Sequence, residues 1–193
     1  MQALILTLVL APAPVPKTEV ADWRAAIQFR PFEFDRDHFG ADNSVEVARQ
    51  AGLTAKFAHD PSSRFEGSFT FARKGGPKVE HRGHRWSTAV VRGDVLYFAD
   101  YDPITSGCTI IAYDLTTGKK GWAKAVEGLG PIDHSKYRNA VAMMVEKHPR
   151  TRGSFALVVT GWEAAGAYTE VLDLMTGKQL AHKTYMDTGL PKP

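Results

Sequence analysis

The chain has 193 residues, enough for one domain of ordinary size with a small appendage. Hydrophobic residues make up 44% and charged residues 23%, which excludes a disordered chain and allows a sizeable core. The net charge of +3 and a pI near 9.0 are too modest to identify a nucleic-acid binder, and no long tract of like charge adds to them.

The N-terminus opens on the uncharged apolar run Ala3-Leu-Ile-Leu-Thr-Leu-Val-Leu10. It is well short of the ~20 residues that span a bilayer. Followed by the small residues Ala11-Pro-Ala13, it predicts a signal peptide over residues 1–13 and an extracytoplasmic destination, periplasmic or secreted, with no transmembrane span in the mature chain. The alternative for the same residues is a buried N-terminal strand or helix. Pro12, Pro14 and Pro16 then read as an extended tether, and residues 14–63 as an irregular or helical region. Within it, Asn43 with Glu46 three places on forms a possible capping box. It would lead a short helix through Val45, Ala48 and Arg49 that stops at Gly52; the alternation of Val45 and Val47 leaves a strand open.

From about residue 64 the pattern is β, which sets a repeat domain over 64–193. Phe69 and Phe71 alternate, and Gly75-Gly-Pro77 breaks the strand. Trp86-Ser-Thr-Ala-Val-Val91 and Val95-Leu-Tyr-Phe-Ala99 flank Arg92-Gly-Asp94, a tight hairpin with Gly93 at positive φ. The single Cys108 has no internal partner, and reads as a small buried apolar residue.

The strongest organising signal comes next. Ile111-Ala-Tyr-Asp-Leu-Thr-Thr-Gly-Lys119 recurs 59 residues later as Glu170-Val-Leu-Asp-Leu-Met-Thr-Gly-Lys178. Asp114 and Asp173 are turn formers, whose carboxylates accept backbone N–H bonds, and Gly118 and Gly177 close the turns in the left-handed conformation. Upstream, the copies align without a gap, so that Leu96-Tyr-Phe98 falls on Phe155-Ala-Leu157. Ala89-Val-Val91 falls on Ala140-Val-Ala142 if about seven residues, near Glu146–Arg152, are inserted. The copies span about 86–126 and 139–185, each as four short strands.

Gly93-Asp-Val-Leu-Tyr-Phe98, the Asp-Leu-Thr-Thr-Gly-Lys turn and the Trp122 that follows resemble a blade of the β-propellers related to pyrroloquinoline-quinone enzymes. The resemblance covers about residues 86–185. It implies that Trp122 docks its blade onto a neighbour; the second copy has Ala181 at that place. The family includes quinoprotein dehydrogenases and also binding and scaffolding proteins without a cofactor. Its dehydrogenases need a full ring, a calcium ion and a catalytic Asp, and closed propellers usually need ~4–8 blades. Two blades, even with a partial third from residues 64–84, do not close, so no cofactor is expected.

Three clusters carry candidate chemistry. His81-Arg-Gly-His84 is the nearest approach to a metal pair, but zinc wants three or four ligands, so no metal is expected. Arg73, Lys74, Lys78, Arg82 and Arg85 form the densest basic region, a solvated face or a patch for polyanions. Tyr101 and Asp102 match Trp162 and Glu163 on equivalent loops, a candidate rim for sugar or peptide; ordinary turn chemistry is the alternative. No catalytic residue emerges.

The expected fold is therefore mainly β, two four-stranded antiparallel propeller-like blades packed as an incomplete propeller or sandwich. The expected function is a non-catalytic extracytoplasmic binding or scaffolding protein with a protein or carbohydrate partner; nucleic acid is not expected. The alternative is a quinoprotein-related enzyme subunit that completes a ring by oligomerising. A remnant of a longer propeller protein, with no ligand site, is a third reading.

Overall fold

The computed structural model describes residues 22–26, 40–101, 108–126, 141–163 and 166–184, without the side chains of 162, 163, 166, 167 and 184. The segment expected to be a signal peptide and nearly all of the Pro-rich tether lie outside the described residues. The elements are helices α1 (Trp23–Ala26) and α2 (Gly40–Gln50), then strands β1 (Thr54–His59), β2 (Glu66–Ala72), β3 (Lys78–His84), β4 (Thr88–Arg92), β5 (Val95–Tyr101), β6 (Cys108–Asp114), β7 (Lys120–Ala125), β8 (Val141–Lys147), β9 (Phe155–Glu163), β10 (Gly166–Leu172) and β11 (Gln179–Thr184). No described helix is long and apolar enough to cross a membrane.

Among the described residues the strands form three antiparallel meanders rather than two: β1-β2-β3, β4-β5-β6-β7 and β8-β9-β10-β11. These are sheets 1, 2 and 3. Sheet 1 begins at Thr54, ten residues before the expected start of the β region, inside the segment expected to be irregular. Its middle strand follows the period-2 rule: Gly67, Phe69 and Phe71 are buried, and Glu66 and Ser68 are exposed. In β5, by contrast, Leu96, Tyr97, Phe98 and Ala99 are all buried, the signature of a strand covered on both faces.

Sheet 2 is accordingly the middle layer. Leu96, Phe98 and Leu115 pack with Phe69, Phe71 and Val79 of sheet 1. Tyr97, Ala99, Ile110 and Ala112 pack with Leu157, Val159, Tyr168 and Leu172 of sheet 3. On the far side of sheet 3, Trp23 of α1 lies against Ala156, Val158, Val171 and Ala181. A sandwich of two sheets is thus corrected to a stack of three. The reason is that sheet 2 has apolar residues at both parities and must be covered twice.

Helix α2 contributes Ala41, Val45 and Ala48 to the sheet 1–sheet 2 core. It lies against β1 and β4, beside the edge where sheets 2 and 3 carry their first strands. Its start departs from the capping-box expectation. The Ala41 N–H donates to the Arg85 carbonyl at 2.7 Å, and Gly40 adopts φ 87°, so the helix begins three residues before Asn43 on a tertiary contact. Its end follows the expectation. Gly52, at φ 80°, donates to the Arg49 carbonyl and Leu53 to that of Ala48, which is a Schellman termination.

Register corrects the repeat upstream of its turn. Tyr113 pairs with Leu96, whereas Leu172 pairs with Leu157, so Leu96-Tyr-Phe98 corresponds to Leu157-Val-Val159. Val91 pairs with Leu96 and Val145 with Leu157, which places Ala89-Val-Val91 on Met143-Met-Val145. The two partners are 5 residues apart in sheet 2 and 12 in sheet 3, an insertion of seven, as expected. It lengthens the ladder through Lys147 and Phe155 and enlarges the loop to 148–154. His148 organises that loop: its Nδ1 accepts N–H bonds from Arg150 (3.2 Å) and Thr151 (2.9 Å), and its Nε2–H faces the Asp22 carbonyl at 3.2 Å.

The repeated turn has the predicted construction. Asp114 Oδ1 accepts from the Thr116 N–H (2.7 Å) and Thr116 hydroxyl (2.6 Å), and Gly118 lies at φ 70°. Asp173 Oδ1 accepts from Met175 N–H (3.0 Å), Thr176 N–H (2.8 Å) and the Thr176 hydroxyl (2.7 Å), with Gly177 at φ 68°. Bonds from the Thr116 hydroxyl, then its N–H, hold the Asp114 carboxyl at about 2, below the ordinary 3.8. A carboxyl lowered in the folded state stabilises fully above its unfolded value, and that contribution is lost as pH falls through the folded one. Stability is therefore expected to drop between about pH 4 and pH 2, and Asp114→Asn to remove that part of the dependence. A side-chain carboxyl signal for Asp114 titrating at 3.8 rather than near 2 would contradict this.

Candidate functional site

Three polar side chains meet in the seam between sheets 1 and 2. In β3 the inward positions are Val79, His81 and Gly83, so a histidine stands where an apolar residue would be routine. His81 lies on Phe98, with ring centroids 4.7 Å apart. Its Nδ1 is 2.8 Å from the Tyr113 hydroxyl, and its Nε2 is 3.1 Å from Asp100 Oδ2, off the line of a good hydrogen bond. Asp100 fits because residue 83 is glycine; a Cβ there would lie 2.9 Å from Asp100 Oδ1.

Tyr113 is the neutral partner of the trio. Burial, then the negative charge of Asp100, pushes its phenol pKa up, which keeps it a neutral hydroxyl able to donate. When the phenol donates to Nδ1 of His81, the neutral imidazole carries its proton on Nε2, toward Asp100. Such a trio can hold a proton and orient an imidazole. Burial opposes ionisation of the phenol, which disfavours it as a nucleophile. The arrangement ties β3 of sheet 1 to β5 and β6 of sheet 2.

His84 stands on the other parity of β3. It is buried, lies 5.4 Å from Phe65 and 4.6 Å from Tyr101 ring to ring, and its Nδ1 accepts the Trp86 N–H at 3.1 Å. A spacing of three on a strand thus separates the two imidazoles. Among the described residues no group of three or more His, Cys, Asp or Glu could hold a metal ion.

The five basic residues singled out in the sequence are not brought together. Arg73, Lys74 and Lys78 sit at the β2–β3 turn, and Arg82 and Arg85 toward the far end of β3 and beyond it. Arg73 pairs with Asp94 at 2.8 Å and donates to the Gly93 carbonyl. Arg82 pairs with Asp60 (2.8 Å) and Glu66 (3.3 Å), and the Arg85 guanidinium lies 5.6 Å from the Trp86 ring. Arg92 of the Arg-Gly-Asp hairpin is likewise engaged, 3.7 Å from the Phe155 ring centre, and Gly93 has φ 55° as expected.

Of the candidate ligand rim, Tyr101 is buried against His84, and its N–H donates to the Ser87 hydroxyl at 3.1 Å. Trp162 and Glu163 end β9 at the corresponding strand position. Their side chains and the whole of Asp102 lie outside the described residues.

The seam between sheets 2 and 3 is held by the residue that carried the family resemblance. Trp122 Nε1–H donates to the Leu174 carbonyl at 3.1 Å, which also accepts from the Tyr97 hydroxyl at 3.1 Å. Trp122 thus seats on the repeated turn of the next sheet. Ala112 pairs with Trp122 and Val171 with Ala181, so register confirms Ala181 as the counterpart of Trp122. Comparison with known protein families, with curated proteins and with solved structures returned no match for this chain.

Proposed function

We propose that the chain is a non-catalytic, extracytoplasmic binding or scaffolding module built from propeller-like blades. The observation that carries this reading is that, among the described residues, both outer faces of the stack are mainly polar or covered, with Met144 of sheet 3 the large apolar exception. On the outward face of sheet 1, Lys56, Ser68, Glu80 and Arg82 are exposed and Thr70 is half-buried, so no further sheet is needed there. On the outward face of sheet 3, Trp23 is 5% exposed and packed against four apolar residues. Repeat stacks end in such polar or capped surfaces. Trp122 seated on the next turn supports the likeness to a blade. The Tyr113–His81–Asp100 trio, used up in holding two sheets, supports a non-catalytic role.

The competing reading, a quinoprotein-related subunit that closes a ring by oligomerising, predicts apolar outer faces. Light scattering after size exclusion separates the two. A monomer, near 21.2 kDa for the full chain, and no quinone absorbance are expected; an oligomer carrying quinone absorbance would replace the module with the enzyme subunit.

A further inference from the structure

The hairpins and repeated turns emerge together at one end of the stack, and that end is basic in a regular way. The Leu115 N–H donates to the Asp94 carbonyl at 2.8 Å, which ties the β4–β5 hairpin to the β6–β7 turn. A Cβ on Gly118 would lie 3.1 Å from the Lys78 carbonyl oxygen and 3.1 Å from Pro77 Cβ, and one on Gly177 would lie 2.5 Å from Trp122 Cε3. The turns of the three sheets are therefore neighbours along a single rim. Lys74 lies in the first turn and Lys78 follows it, Lys119 and Lys120 close the second, and Lys178 closes the third.

All five lysines are exposed, and none of their ammonium groups pairs with a carboxylate among the described residues. The acids of the rim are engaged instead. Asp94 is held by Arg73, and Asp114 and Asp173 turn their Oδ1 atoms onto their own backbone and threonine hydroxyls. The lysine ammonium groups are thus unpaired among the described residues, while each rim carboxylate has a cation or hydrogen-bond donors of its own.

We propose that this rim binds a linear anionic polysaccharide. The proposal rests on the binding-module reading and names its ligand class. Stacked sheets lie about 10 Å apart, so the lysines repeat at roughly the length of a disaccharide, the period at which such chains present sulfate or carboxylate groups. Thr116, Thr117 and Thr176 are exposed between the lysines; the hydroxyls of Thr116 and Thr176 donate to Asp114 and Asp173 and keep a lone pair that can accept from a sugar hydroxyl. Nucleic acid fits less well. It presents a phosphate every ~3.4 Å per strand, and single strands are held on aromatic platforms. The turns 73–77, 115–119 and 174–178 contain no aromatic residue.

The test uses the full chain with dextran sulfate, neutral dextran and a short DNA duplex, followed by calorimetry at several salt concentrations. Dextran sulfate is expected to bind, with affinity falling steeply as salt rises, and neutral dextran not to bind. Lys119→Glu with Lys178→Glu is expected to weaken binding by about tenfold or more. Arg49→Glu with Lys56→Glu, the same charge change away from the rim, is expected to leave it within about twofold. Unchanged thermal melts check that every variant folds. Equal loss in the two pairs, tighter binding of the DNA duplex, or no binding of dextran sulfate would overturn the proposal. A monomer indifferent to dextran sulfate loses the polysaccharide and keeps the module. A quinone-bearing oligomer that binds it at the rim does the reverse.

Discussion

Phe98→Ala is expected to lower the unfolding free energy by about 3–5 kcal/mol, read from urea denaturation. Phe98 has no solvent exposure and lies where sheets 1 and 2 meet. Its ring centroid is 4.9 Å from Phe69, 6.2 Å from Phe71 and 4.7 Å from His81, so truncation removes an aromatic body from three partners at once. Those partners belong to two different strands of sheet 1 and cannot all move in to fill the space. A cavity term then adds to the lost transfer energy. Phe65, 43% exposed, is the control, and Phe65→Ala is expected to cost less than about 1 kcal/mol. If the two variants cost the same, sheets 1 and 2 do not pack as described.

Gly177→Ala is expected to cost about 2–4 kcal/mol. Two effects combine. At φ 68° the new Cβ strains the backbone, worth about 1–2 kcal/mol. The same Cβ would lie 2.5 Å from Trp122 Cε3, so the indole must leave its seat. In doing so it gives up its bond to the Leu174 carbonyl and its packing on Tyr97, whose ring centroid is 5.9 Å away. A double-mutant cycle isolates the second effect. In a Trp122→Ala background, Gly177→Ala should retain only the backbone strain, leaving a coupling of about 1–2 kcal/mol. Equal costs in both backgrounds would show that the indole does not rest on the turn.

What could be read in the sequence was what local chemistry determines. The Asp-x-x-Thr-Gly turns, the Gly93 hairpin and the Gly52 helix stop each depend on residues within a few positions of one another, and each is where it was expected. The start of α2 was not legible, because the group that receives its first N–H is the carbonyl of Arg85, far along the chain. Strand β1 was missed because Ala55, its one fully buried residue, gives little apolar contrast beside Lys56. The strand register slipped by two because the connection between Tyr101 and Cys108 is two residues longer than that between Trp162 and Ala167. A gapless alignment of letters cannot register that difference.

The candidate site was legible in its parts and not in its assembly. His81 was conspicuous, but for a pairing with His84 that strand geometry forbids. Tyr113 and Asp100 lie 32 and 19 residues further on and join it only once two sheets are stacked. A histidine at an inward position between Val79 and Gly83 was the available signal. The basic segment divided for a similar reason. Residues close in sequence were carried to opposite ends of β3, while lysines from three separate turns were gathered at one.

The layering also sets an order of events on the ribosome. The core under sheet 1 draws on residues from Ala41 to Leu115, so the cover of Phe69 and Phe71, begun by α2, stays incomplete until β5 and then Leu115 have left the exit tunnel. Sheet 2 in turn presents Tyr97 and Ile110 to water until sheet 3 is made. A nascent chain of this kind always shows one uncovered apolar face at its growing end, and that face is what a chaperone would meet.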